Sequence, residues 1–215
     1  ALTSALVGVL NSAQIGALTS ADLATFSTAD IAAIGTAALA GLSSENIAAL
    51  TPDQIAALTS AQLGVLSSAQ SGALTSAQLA VLGTAQIGAL GSAALSGLST
   101  GSIAALSADQ IAALSVKAIP GLSTAQIDAL SPSQIDVLIA AQIAALSSAQ
   151  LGAMSSADIA TFSDDEIAAI GTAALAGLTG DTIGALDPDQ VAALTVAQVG
   201  VLNAGQIASL TSAQI

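Results

Sequence analysis

The sequence predicts an all-α solenoid of very short helices, one to each eight-residue repeat. Three observations predict it. The large apolar residues recur with an unbroken period of eight, a helix-starting residue stands at one fixed phase of that period, and the apolar spacing suits neither a long helix nor a strand.

The period comes first, because a repeat governs everything else in a chain that has one. Counting by eight from Leu2 reaches Leu10, Leu18, Phe26, Ile34 and onward to Leu210, and all 27 of these marks are large and apolar. Five residues after each mark stands a second apolar residue, from Val7 and Ile15 to Ile215, broken only by Ser71.

The phase of the helix start follows from the residue after the mark. It is Ser, Thr, Asn, Asp or Gly in 26 of 27 octads, Ile139 being the exception. Ser, Thr, Asn and Asp cap helices because their side-chain oxygens accept from an otherwise unpaired N–H of the first turn. Numbered from this cap, octad 51–58 runs from Thr51 at position 1 to Leu58 at position 8. Position 4 is Gln, Asp, Asn or Glu in 20 of 27 octads, which with Ser or Thr at the cap and Gln or Glu at position 4 is the capping-box spacing. Pro52, Pro132 and Pro188 all fall at position 2, the first helical residue, where a missing N–H costs nothing. The mark before the cap and the apolar residue at position 5 have the spacing of a hydrophobic staple.

The rival readings fail on geometry. Eight residues advance roughly 800° in a continuous α-helix, so successive marks would drift about 80° off any one face. In a strand, positions five apart face opposite ways, and Ala, Gln and Gly are poor strand residues. Helical turns of five or six residues, joined by corners, remain. A lone octad buries too little to offset the ordering of its backbone, so neighbouring coils must close a common core, as in solenoids. Ala or Gly at most of positions 6 and 7 lets the short helices approach closely.

Variant octads set the expected pitch. Ala replaces the polar residue of position 4 at Ala38, Ala94, Ala118 and Ala174, and Gly precedes the next mark at Gly41, Gly97, Gly121 and Gly177. These octads are seven, three and seven apart, and the three prolines ten and seven apart. If like octads share a side, roughly 3.4 octads, about 27 residues, make one turn. Duplication alone is the other account, since residues 21–70 closely resemble 157–206. The expected organisation is one continuous octad solenoid over residues 1–215, a segment of a longer chain or fibre, because Ala1 lies in mid-pattern with no signal peptide before it.

Composition limits function. The chain is 53% hydrophobic and 7% charged, too apolar for a disordered segment. Polar residues interrupt every apolar stretch before the ~18 residues of a membrane span. A net charge of −13 with Lys117 as the one basic residue excludes nucleic acid and anionic membrane surfaces as expected partners. No cysteine is present for a disulfide or a thiolate metal site.

No catalytic residue is expected, and no cofactor. The many hydroxyls have no His beside them, and Lys117 reads as a solvated lysine. Twelve of the 14 acids occupy a cap or first turn, where they complement the helix dipole. Calcium is a weaker expectation, with ligands from Asp164, Asp165 and Glu166 or from Asp181, Asp187 and Asp189, although no EF-hand loop or glycine-rich nonapeptide is present. Ser71 reads as a tolerated defect whose hydroxyl bonds a nearby carbonyl. At Val137, Leu138 and Ile139 the lost cap predicts two octads fused into one longer helix, with an exposed apolar patch as the alternative.

Leu58-Thr59-Ser60-Ala61-Gln62-Leu63, its counterpart at 210–215 ending in Ile215, and Ala48-Ala49-Leu50-Thr51 resemble the Ala/Ser/Thr/Gln-rich short-repeat tracts of very large secreted bacterial surface proteins, of adhesin, S-layer or extracellular-fibre type. The resemblance covers the whole chain. It implies an extracellular or cell-surface stalk or filament, associating end to end and touching other surface or matrix components. The alternative expectation is a binding module offering rows of Ser and Thr to a periodic ligand such as ice or polysaccharide.

Overall fold

The computed structural model describes residues 2–215. It is helical throughout, and among the described residues no strand occurs. The chain forms two compact units, one ending at Gly121 and the other Leu122–Ile215, and each is a stack of short helices.

Each helix starts where the cap residue predicts. Thr59, with φ −71° and ψ 158°, is extended and its hydroxyl accepts from the Gln62 N–H, so the helix Ser60–Leu63 begins at the next residue. The same geometry repeats at Ser67, Thr75, Ser147 and Thr195. The helices end as uniformly. The N–H of the mark bonds three residues back, as Leu58 does to the Ile55 carbonyl at 3.1 Å, and the chain then leaves in extended conformation. Leu50 at φ −63° and ψ 139° shows such a corner, followed directly by the extended cap Thr51. Mark and cap thus turn the chain with two extended residues, and among the described residues none has positive φ. A bulky Leu can stand at every corner because no left-handed residue is needed there.

Two octads depart from the α-helical turn. Ile119–Gly121 and Ala174–Gly177 are 3-10 turns, and both lie in the variant octads with alanine at position 4. Pro120 lacks the N–H that would continue an α-helix in the first of them, but the missing position-4 side chain and the Gly171 cap do not account for the second, because the octads of Ala38 and Ala94 have the same Ala and a Gly cap and are α-helical. The expectation of one α-helix per octad is corrected at these two places and in the last octad, where residues 212–214 form a turn.

Positions 5 and 8 form the core of both units. Ile47, Ile55, Ile103 and Ile183 are fully buried, and Leu50, Leu58, Leu106 and Leu186 nearly so. Packing partners lie three octads apart: Ser4–Val7 against Thr28–Ala33 and Ser68–Gly72 against Ser92–Gly97 in the first unit, Ala140–Ala144 against Asp164–Ala169 in the second. The closest approach uses glycine. A Cβ on Gly97 would stand 2.0 Å from the Ser68 carbonyl oxygen, and one on Gly72 would stand 2.7 Å from the Gly97 oxygen, so only hydrogen fits. Gly41 meets Ser12 and Gly177 meets Ser148 in the same way, so the variant octads mark where two coils touch backbone to backbone.

Candidate functional site: a glutamine ladder

The glutamines of position 4 do more than cap. Gln62 is 2% exposed, and its Oε1 accepts from the Thr59 N–H at 2.7 Å, which is the capping box. Its Nε2 reaches across to the preceding coil and donates to the carbonyls of Ile31 at 3.0 Å and Ile34 at 2.7 Å. These are positions 5 and 8 of the octad four places earlier.

The bond recurs with one register, 28 and 31 residues back. In the first unit Gln54, Gln70, Gln78 and Gln110 repeat both contacts, and Gln86 keeps the one to Leu58. In the second unit Gln190, Gln198, Gln206 and Gln214 do the same. Asn46, one methylene shorter, reaches only the Leu18 carbonyl. Each amide therefore satisfies a helix N-terminus and a helix C-terminus in different coils. No buried side-chain polar atom lacks a partner among the described residues.

Each octad thus packs on an octad three places away and hydrogen-bonds to one four places away. One turn of either unit lies between three and four octads, which agrees with the 3.4 expected from the variant spacing. The hydroxyls of position 2 add occasional links between coils. Ser44 donates to the Ala69 carbonyl at 3.0 Å and Ser60 to the Ala85 carbonyl at 3.1 Å.

The acids predicted as weak calcium ligands stand at helix starts. Asp164, Asp165 and Glu166 share the first turn of one helix, and the Glu166 carboxylate accepts from the Ser163 N–H at 2.8 Å. Asp187 caps Pro188–Ala192 by accepting from the Gln190 N–H at 2.7 Å, Asp189 lies in the first turn of that helix, and Asp181 lies in the octad before. Among the described residues no three acidic side chains converge so that they could hold a metal. Asp30 accepts from the hydroxyl of Ser4, in the octad three places earlier, and from the hydroxyl and N–H of Ser27. These bonds, the Ser4 one foremost, hold its carboxyl below the ordinary 3.8, and Thr19 lowers Asp22 in the same way.

The remaining singular residues resolve plainly. Ser71 is fully buried, and its hydroxyl donates to the Ala94 carbonyl at 2.7 Å. Lys117 is exposed. The fused helix expected at 137–139 does not form, because Pro132–Ile135 ends and Ala140–Ala144 begins as separate helices. Ile139, at φ −81° and ψ 156°, takes the cap conformation natural to a β-branched residue, and the Gln142 side-chain Oε1 accepts from its N–H at 2.9 Å. Of the apolar patch given as the alternative, only Ile139 is exposed, at 51%, since Val137 is half-buried and Leu138 buried. An open hollow of about 260 Å³ bounded by Thr124, Ala125, Asp128 and Ala153 offers one carboxylate and no catalytic pairing.

This architecture, identical coils tied by identical side chains, defines a helical repeat protein. The model of the ALTTAQ repeat matches residues 23–60, 53–84, 60–92, 79–116, 163–196 and 183–215, more than half of the chain. The chain belongs to the ALTTAQ repeat family. On its phase the six letters run from position 7 to the ladder glutamine, as in Ala57-Leu58-Thr59-Ser60-Ala61-Gln62. Among curated proteins none matches the chain. Among the described residues no helix is long and apolar enough to cross a membrane.

Proposed function

We propose that this repetitive protein serves as a non-enzymatic extracellular structural element, a stiff stalk or filament segment of a bacterial cell surface that associates end to end. The observation that carries the reading is the ladder, because within each unit coils are fastened together by buried amides, and no buried side-chain polar atom among the described residues lacks a partner. Such a stack resists bending and local opening more than apolar contact alone, since separating two coils strands a helix-end carbonyl pair and an amide together. One Lys, no Arg and two phenylalanines, with Phe162 buried and Phe26 half-buried, offer common proteases little to cut.

The binding-module alternative is less well supported. The cap hydroxyls that would form a Ser/Thr row already accept backbone N–H groups, as at Thr59 and Thr75. Packing at three octads and bonding at four also mean that like positions do not stack directly into a flat row. Calcium is not required in this reading, because the candidate acids lie at helix caps and first turns, where they complement the helix dipole.

The test is imaging of the native cell surface with antibody against the repeat, together with small-angle scattering of the purified chain. Labelled surface filaments and an elongated particle are the expected results. A purely cytoplasmic signal, or a substrate turned over by the purified chain, would overturn the reading.

A further inference from the structure

The ladder skips one whole turn of the second unit. In the four successive octads of residues 155–186, position 4 holds Asp158, Glu166, Ala174 and Thr182, and none of these is an amide. Their polar side chains are used within their own octads. The Asp158 carboxylate accepts from the Ser155 N–H at 2.8 Å and the Ser155 hydroxyl at 2.7 Å, Glu166 accepts from the Ser163 N–H at 2.8 Å, and the Thr182 hydroxyl donates to the Thr179 carbonyl at 3.1 Å. An ionised carboxylate and a methyl group have no hydrogen to donate across to another coil. The octads four places earlier, residues 123–154, end at Leu130, Leu138, Leu146 and Met154, and no position-4 amide faces those carbonyls. Beyond the gap the fastening resumes, with Gln190, Gln198, Gln206 and Gln214 donating to Phe162, Ile170, Leu178 and Leu186. In the first unit Gln110 stands between the gaps at Ser102 and Ala118 and donates to Leu79 and Leu82, so no whole turn is skipped there.

Packing holds the skipped turn together. Ala140–Ala144 lies against Asp164–Ala169 and Ser148–Leu151 against Ala174–Gly177, and a Cβ on Gly152 would stand 2.7 Å from the Gly177 carbonyl oxygen. Charge works the other way. Asp128 and Asp136 are the two of the 14 acids outside a cap or first turn, and they stand in the octads four places before Asp158 and Glu166. Carboxylates therefore flank both sides of this seam, and like charges oppose its closure. We propose that the seam between residues 123–154 and 155–186 is a release joint, the place where load, heat or denaturant first parts two turns of the second unit. Opening it gives up apolar contact, whereas opening a tied seam also strands an amide and its carbonyls at every octad. The stack yields at this fixed place, and the coils fastened by Gln190, Gln198 and Gln206 stay together. Such a joint acts wherever the protein works, so its test and the imaging of the cell surface fail independently.

Native-state hydrogen exchange of the 215-residue chain, read peptide by peptide by mass spectrometry, tests this. Backbone amides of residues 123–186 are expected to exchange at least about tenfold faster than those of residues 27–90, whose turns are tied by Gln62, Gln70, Gln78 and Gln86. Asp158→Gln combined with Glu166→Gln supplies two amides to the skipped turn and slows exchange across residues 123–186 by about tenfold. Asp165→Asn combined with Asp189→Asn removes the same charge from exposed position 3 and changes that exchange less than about twofold. Equal protection of the two stretches, first opening at another seam of the second unit, or a double glutamine variant that exchanges as fast as the unaltered chain overturns the proposal.

Discussion

Replacing Gln62 by Glu isolates what the ladder contributes. The variant keeps the acceptor for the Thr59 N–H but sets an anionic oxygen where Nε2 now lies 3.0 Å from the Ile31 carbonyl oxygen and 2.7 Å from that of Ile34. Two hydrogen bonds at about 1 kcal/mol each are lost, and a carboxylate is desolvated against two carbonyl dipoles, for a combined loss of roughly 3–4 kcal/mol at neutral pH. Asp22, Asp30, Asp158 and Glu166 are the chain's own acids at this position, and Glu166, the one with the length of the variant side chain, is half-buried where Gln62 is buried. Gln14→Glu in the same 215-residue chain is the internal control: the same capping box on an exposed residue, so its stability changes by at most about 0.5 kcal/mol. Urea unfolding followed by circular dichroism gives the totals. Amide exchange read octad by octad locates the loss, since repeat arrays need not unfold in one step. The variant carboxyl's folded pKa is raised, so its neutral form is tolerated below its unfolded value of about 4.3 and the penalty appears as pH rises through the folded value. Equal losses at Gln62 and Gln14, or a Gln62 loss insensitive to pH, would refute the reasoning.

Three further outcomes follow from the same geometry. Gly97→Ala drives a Cβ to 2.0 Å from the Ser68 carbonyl oxygen and costs about 1–3 kcal/mol or more in urea unfolding, whereas Gly35→Ser, with nothing within 4 Å of the added Cβ, leaves the melting temperature unchanged or slightly raised. Ile139→Ser restores the missing hydroxyl cap and removes a half-exposed apolar side chain, so thermal unfolding shifts upward by the equivalent of about 0.5–1 kcal/mol. Asp30 and Asp22 have lowered folded pKa values, so the stability they contribute is present above the unfolded value near 3.8 and is lost as pH falls through the lower folded ones. NMR titration of the Asp30 carboxyl should show a value below 3.8 that rises toward it in Ser4→Ala, and an Asp30 titration unaffected by that change would remove the Ser4 bond from the account.

What was legible in the sequence was the local part. Caps, proline positions and the staple spacing act within one octad, so Thr59 and Gln62 announce a helix start whatever surrounds them. The second role of Gln62 was not legible from that spacing, because identical octads give no sign of which one lies opposite. A signal was present nonetheless. Position 4 is Gln in fifteen octads and Glu in one, although Glu completes a capping box as well, and only the amide has hydrogens to donate outward. The pitch could be read because the defects, Ala94 with Gly97 and their counterparts, are not evenly spaced. Ile139 misled because a missing hydroxyl was weighed and the reciprocal acceptor on Gln142 was not. The 3-10 turns escaped because alanine at position 4 does not by itself signal them: Ala38 and Ala94 stand in α-helices, while the octads of Ala118 and Ala174 hold 3-10 turns.

The account stands most directly on which coil each glutamine touches. Selective labelling of Gln62 and its side-chain amide, with nuclear Overhauser contacts mapped by NMR, reads this without assuming a fold. The ladder predicts contacts from the Gln62 side-chain amide hydrogens to Ile31 and Ile34, 31 and 28 residues back, and slow exchange of those hydrogens with solvent. Contacts confined to its own octad, with fast exchange, would contradict it.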